Sequence, residues 1–105
     1  MSSAPSGIDS RAYVYGCKVV TTAGRSELNG WLVTRIQCFN NSVVTMAMRP
    51  ANADIPILPG GCVTIEPNGA MRDGVAFAGI GIDGHFLALI EYWYPAPADG
   101  IQRAP

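Results

Sequence analysis

Charge is what this chain has least of. Lys, Arg, Asp and Glu make up 14% of its residues, where a soluble domain typically carries about 25%. Seven basic residues stand against eight acidic ones, for a formal net charge of -1. A protein that binds nucleic acid through phosphate contacts needs a basic surplus, and there is none. There is a single histidine, His85, so one chain cannot supply a two-histidine metal site. The carboxylates are scattered singly and do not form an all-oxygen cation site. The cysteines, Cys17, Cys38 and Cys62, are odd in number and far apart, with no CxxC pair. That pattern supports neither a structural zinc site nor a disulfide scaffold. It reads as three half-buried thiols used as small apolar side chains. No cofactor and no metal is expected.

Long hydrophobic runs are missing too. A membrane-spanning helix needs roughly 20 consecutive apolar residues, and none occurs, so no membrane association is expected. Nor does any stretch of ten residues carry apolar side chains at i, i+3, i+4 and i+7, which excludes a long amphipathic helix. Met1–Gly7 has neither an apolar core nor a basic cluster, so it does not read as a signal peptide, and Ser at position 2 excludes N-myristoylation. Synthesis in a reducing cytoplasm is the expectation. Asn40-Asn41-Ser42 then reads as a turn, although it spells a glycosylation sequon.

What is present is apolar. Hydrophobic residues form 49% of the 105 positions, which excludes a disordered chain and suits one small domain. With so few charges, the exterior must either draw polarity from Ser, Thr, Asn and Gly or be buried against a partner.

Glycine and proline divide the chain. Ser2–Ser10 reads as an extended arm. Tyr13–Thr22, rich in Tyr, Val and Thr, predicts a strand. Ala23–Gly30 suits a loop. Trp31–Phe39 predicts a second strand, with Leu32, Thr34, Ile36 and Cys38 on one face and Arg35 and Gln37 on the other. Val43–Met48 predicts a third, joined to the second as a hairpin through the Asn-Asn-Ser turn. Pro56 and Pro59 confine Ile55–Gly61 to an edge or a crossing connection. Cys62–Glu66 is a short strand before the Pro67-Asn68-Gly69 turn. Val75–Ile82 and His85–Tyr94 are the strongest strands, and Asp83-Gly84 between them signals a two-residue hairpin. Pro95–Pro105 is a proline-rich tail. The fold class expected is all-β: a small antiparallel β-sandwich of jelly-roll or other Greek-key type. It spans residues 12–95, with extended N- and C-terminal arms at 1–11 and 96–105.

The last strand adds a clue. Leu87, Leu89 and Trp93 line one face, and Phe86, Ile90, Tyr92 and Tyr94 line the other. A two-layer sandwich buries one face per strand. Apolar residues on both faces predict a cover for the outer one, an arm or another subunit. Tyr13, Tyr15, Trp31, Phe86, Trp93 and Tyr94 are the candidate partner-interface residues.

Motifs that carry chemistry are few. Gly79–Gly84 matches GxGxxG by letter, but a strand follows where a dinucleotide site needs a helix. His85 lies at a predicted hairpin tip, and nothing in the sequence brings it to Cys62 as a nucleophile. Glu66 and Glu91 sit on predicted strands, and each reads as a carboxylate paired with Arg35, Arg49 or Arg72 rather than as half of a hydrolytic pair. No catalytic residue is expected. A small enzyme or ligand-binding barrel would have only Glu66, Glu91 and His85 to build on.

A pattern of strand ends and turns runs through Val19-Val20-Thr21-Thr22, Phe39-Asn40-Asn41, Ile55–Gly61 leading into Cys62-Val63-Thr64-Ile65-Glu66, Ala78-Gly79-Ile80, and Leu89-Ile90-Glu91-Tyr92-Trp93. Over residues 19–94 it resembles the small β-sandwich accessory proteins of tailed-bacteriophage virions, of the capsid decoration or cement type. The resemblance implies a non-enzymatic virion structural protein on the capsid surface, assembled in the host cytoplasm. Its implied partners are the major capsid protein and further copies of itself, a homotrimer before a dimer. An alternative is a head-fibre or tail-fibre module in which Trp31, Trp93 and Tyr94 meet a receptor or carbohydrate.

Overall fold

The computed structural model describes residues 13–28, 31–50, 53–67 and 74–95. The arms expected at 1–11 and 96–105, the turn at 68–69 and Arg72 lie outside these residues. Among the described residues there are eight strands and no helix. They are β1 (Tyr13–Val20), β2 (Gly24–Glu27), β3 (Leu32–Asn40), β4 (Met46–Arg49), β5 (Ile55–Ile57), β6 (Cys62–Ile65), β7 (Gly74–Ala78) and β8 (Phe86–Pro95).

They build two antiparallel four-stranded sheets, ordered β1-β8-β3-β6 and β2-β7-β4-β5. Pairing β1 with β8, β2 with β7, β3 with β6 and β4 with β5 means that the chain doubles back at β4–β5, with successive rungs alternating between sheets. Lateral pairs β3–β8 and β4–β7 knit the rungs together. This is the jelly-roll order, which the sequence left open against other Greek keys.

The expected period of two is borne out in β8, where Phe86, Ala88, Ile90, Tyr92 and Tyr94 are buried and Leu87, Leu89, Glu91 and Trp93 are half-buried. The inner row packs on Ile36 and Cys38 of β3, Met46 and Met48 of β4, Ile57 of β5, and Val75 and Phe77 of β7. Each Val, Ile, Met or Phe side chain among them that is withdrawn from water stabilises the fold by roughly 1.5–3 kcal/mol. In β3 the expected face is corrected. The register shifts between Val33 and Arg35, and such a bulge changes which residues point inward. Val33 therefore joins Ile36 and Cys38 in the core, while Leu32 pairs with Trp93.

Three predicted connections are also corrected. Ala23–Gly30 contains β2, which pairs with β7. Neither β3 with β4 nor β7 with β8 forms a hairpin, because the members of each pair lie in different sheets. The strand predicted over Val75–Ile82 ends at Ala78, and Ile82 turns into the core instead. Gly84 does take the positive φ of +76° that an Asp-Gly turn requires. The turn's polar groups, however, are engaged by the β1–β2 loop: Gly84 N donates to Thr21 O at 2.8 Å, and Asp83 Oδ1 accepts from Ala23 N at 2.7 Å.

The crossing from β3 to β4 turns on Asn40, which is fully buried. Its Nδ2 donates to Val44 O and Ile57 O, both at 2.8 Å. Its Oδ1 accepts from Ser42 N at 2.9 Å and Ser42 Oγ at 2.6 Å. The Asn-Asn-Ser segment is thus a turn as read, an Asx turn whose side chain also clasps the second sheet. The sequon asparagine has no free amide hydrogen to offer.

Candidate functional site: the outer face of the first sheet

Strand parity sorts the first sheet into two surfaces. The register sets Tyr15 against Trp93, Cys17 against Glu91 and Val19 against Leu89 across β1–β8. On the other side, Leu32 meets Trp93, Arg35 meets Glu91, Gln37 meets Leu89 and Phe39 meets Leu87 across β3–β8. The outer face therefore joins aromatic and aliphatic side chains with Arg35 and Gln37, and has one carboxylate, Glu91, near its middle. Tyr15 and Val19 keep 50% and 57% of their surface exposed, so the face opens to solvent at its β1 side.

Glu91 is held from both flanks. The Tyr15 hydroxyl donates to its Oε1 and Arg35 Nε donates to its Oε2. Three strands supply the three groups because β8 lies between β1 and β3. The hydrogen bonds from Tyr15 and Arg35 hold the Glu91 carboxyl below its usual range. The same bond pushes the Tyr15 hydroxyl up to about 12, since ionising it would set a phenolate against a carboxylate. The Glu91 side chain keeps 16% of its surface exposed. A covered carboxylate with both oxygens bonded and a guanidinium beside it is a poor proton donor and a blocked nucleophile.

The six candidate interface residues divide. Tyr13, Tyr15 and Trp93 belong to the outer face, with the Tyr15 and Trp93 rings edge-on at 5.5 Å. Trp31, Phe86 and Tyr94 are corrected: they are buried in the core. Trp31 packs on Tyr92 and on Tyr94, each at 4.7 Å between ring centroids, and Phe86 lies 5.3 Å from Phe77. The inward parity of β8 decides this for Phe86 and Tyr94. Trp31 cannot serve as a carbohydrate platform in this arrangement.

The other sequence candidates do not converge. His85 is exposed in the β7–β8 loop, and no hydrogen bond joins it to Cys62. Glu66 is exposed beyond the end of β6. Arg49 is paired with Asp54 at 2.6 and 3.1 Å, not with Glu66 or Glu91. The expectation of three half-buried thiols is corrected as well. Only Cys38 is buried, and burial pushes its thiol up to about 11. Cys17 and Cys62 are exposed because β1 and β6 turn those positions outward.

Comparison with family models, with curated proteins and with solved structures finds no match.

A second surface was not foreseen. The β1–β2, β3–β4, β5–β6 and β7–β8 loops share one end of the sandwich, as the registers of Gly24 with Phe77, Met46 with Ile57, and Asn40 with Phe86 require. Three loop residues there, Val43, Leu58 and Ile80, are 92%, 67% and 90% exposed. The loops are tied to one another by the Asn40 and Asp83 bonds and by Asn41 N donating to His85 O at 2.9 Å. In the sequence Val43 and Ile80 look like ordinary members of apolar strands, and Leu58 like part of a proline-flanked edge or connection. Only the crossing of the chain between sheets turns them outward.

Proposed function

We propose that this protein is a virion structural component, a capsid decoration or cement protein, non-enzymatic, that lays the outer face of its first sheet on a lattice of major capsid protein. The observation that carries the reading is the outer row Leu87, Leu89 and Trp93, flanked by Tyr13, Tyr15, Val19 and Phe39. A solvent-facing sheet surface of a low-charge chain gains by being covered. Glu91 does not oppose that covering. A bare carboxylate is costly to desolvate, whereas Glu91 already holds Tyr15 and Arg35.

Stabilisation would follow from mass action. A protein that binds the assembled lattice and not free subunits lowers the lattice's free energy. Many identical copies contribute modest interfaces in parallel. Its place would be the capsid surface, after assembly in the host cytoplasm.

The test is cosedimentation of the purified protein with shells assembled without it. Saturable binding in hundreds of copies per shell, with a raised shell melting temperature, is the expected result, and Leu89→Glu should weaken binding at least tenfold. Absence of binding under every salt condition would sink the reading. A second reading, a head-fibre or tail-fibre module, is favoured by the tied loop end carrying Val43, Leu58 and Ile80. It predicts far fewer copies per particle and binding that survives Leu89→Glu.

A further inference from the structure

Each sheet has two edges, and three of the four edge strands are blunted. β2 and β6 have four residues each, and β5 has three with Pro56 at its centre. Short strands and proline are the ordinary protections of a sheet edge. β1 has neither. It runs for eight residues, Tyr13–Val20, without proline, and among the described residues nothing pairs with its second edge. A long, regular, unpaired edge presents a row of N–H and C=O groups ready for another strand. Its one charge, Lys18, is turned toward the flank of the sandwich, where Nζ lies 3.5 Å from Glu27 O. The guard that an edge lysine usually provides is thus drawn aside.

We propose that β1 pairs antiparallel with β1 of a second copy about a two-fold axis at Cys17, joining the two first sheets into one continuous sheet. Opposed residues of antiparallel strands share a face, so the axis must pass through a residue pair of like parity. Centres at Gly16 and Cys17 pair seven of the eight residues of the strand, and centres nearer its ends pair five or fewer. At Lys18, two ammonium groups would stand opposite each other, which is destabilising. At Gly16, two glycines would meet and leave the middle of the contact without side chains. At Cys17, Tyr15 stands opposite Val19 of the second copy, and Gly16 opposite Lys18 of the second copy. Tyr15 and Val19 are the two exposed large apolar side chains of β1, and an aromatic residue facing a β-branched one is a favourable cross-strand pair. The Tyr15–Glu91–Arg35 network stays intact and is repeated across the axis.

The pairing is isologous, so it closes at two copies. It gives a dimer where the family resemblance implies a trimer, and it extends the outer face across both subunits. It does not depend on what that face binds: failure to bind shells leaves the dimer standing, and a monomeric protein that binds shells overturns the dimer alone.

The experiment has two arms on the full chain. First, light scattering on a sizing column in excess reductant should give twice the 11.1 kDa chain mass, and Cys17→Lys, which opposes two ammonium groups at the axis, should raise the dissociation constant at least tenfold. Second, diamide should link the copies. Two Cys17 thiols lose two protons and two electrons to diamide, which becomes the hydrazine, and one S–S bond forms. Opposed strands hold Cα atoms about 4.5–5.5 Å apart, inside the range of about 4.4–6.8 Å that a disulfide spans. The linked dimer should persist in Cys62→Ser and vanish in Cys17→Ser. A single-chain mass at every concentration, a mass of three chains, or a cross-link that needs Cys62 would each overturn the proposal.

Discussion

Asn40 Nδ2 donates to Ile57 O at 2.8 Å, a bond between a strand of one sheet and a strand of the other. Both amide hydrogens and both acceptor positions of this fully buried side chain are used. Asn40→Ala should cost about 2–3 kcal/mol, because it strands buried partners. Asn40→Asp should cost more, since it sets a carboxylate oxygen against two carbonyls. Urea unfolding at neutral pH measures both, and an equal loss for the two variants would contradict this account.

Gly16 and Tyr92 are opposed in register, and a Cβ at Gly16 would come within 2.6 Å of the Tyr92 ring. The ring cannot withdraw freely, because it also packs on Trp31 at 4.7 Å and Tyr94 at 5.8 Å between centroids. Gly16→Ala should therefore destabilise the fold by about 1–3 kcal/mol, the usual range for overpacking. In a Tyr92→Ala background the same substitution should become nearly neutral. A double-mutant cycle without coupling would show that the ring and the glycine are independent.

The Glu91 network makes stability depend on pH at both ends. Glu91 has a lowered value in the folded state, so its contribution is present above the ordinary carboxylate value of 4.5 and fades as pH falls through the folded value. Tyr15 has a raised value, so its contribution is present below 10.0 and is lost as pH rises toward about 12. Glu91→Gln should cost about 1 kcal/mol at pH 7, a modest figure because Tyr15 and Arg35 are half-exposed. Its difference from the parent should shrink steadily in acid. Denaturant midpoints measured across pH will show whether the two curves converge there.

The thiols should separate by reactivity. Cys17 and Cys62 are exposed, whereas Cys38 is buried with its thiol pushed up to about 11. A thiolate is the reacting species, so an aromatic disulfide reagent should titrate two thiols per chain in the folded protein and the third only on unfolding. Fast reaction of all three would mean that the β3–β6 region opens readily.

Much of this architecture is legible along the chain. The alternation in Phe86–Tyr94 identifies a strand with two apolar faces, and the structure has that strand central in its sheet. Pro56 and Pro59 exclude a central strand and leave an edge or a crossing connection, and β5 is an edge. The candidate site was half legible. The sequence offers Glu91 three arginine partners, and the register selects Arg35 because the two residues face each other across β3–β8. Aromatic chemistry alone points Trp31, Phe86 and Tyr94 to an interface, whereas the inward parity of β8 puts Phe86 and Tyr94 in the core, and Trp31 packs there on Tyr92 and Tyr94.

The sequence by itself determined that the chain would be strands, where most of them lie, and that one sheet would carry apolar residues on its outer side. These are local properties, set by residue type and a period of two. Only the tertiary structure decided the partners. Asn40-Asn41-Ser42 and Asp83-Gly84 both look like hairpin turns, yet each carries the chain from one sheet to the other. A turn fixes the path of a few residues, whereas sheet membership is fixed by pairings such as β1 with β8, whose residues stand far apart in the chain. The same long-range pairing leaves β1 with an open edge and gathers Tyr15, Arg35 and Glu91 at one place.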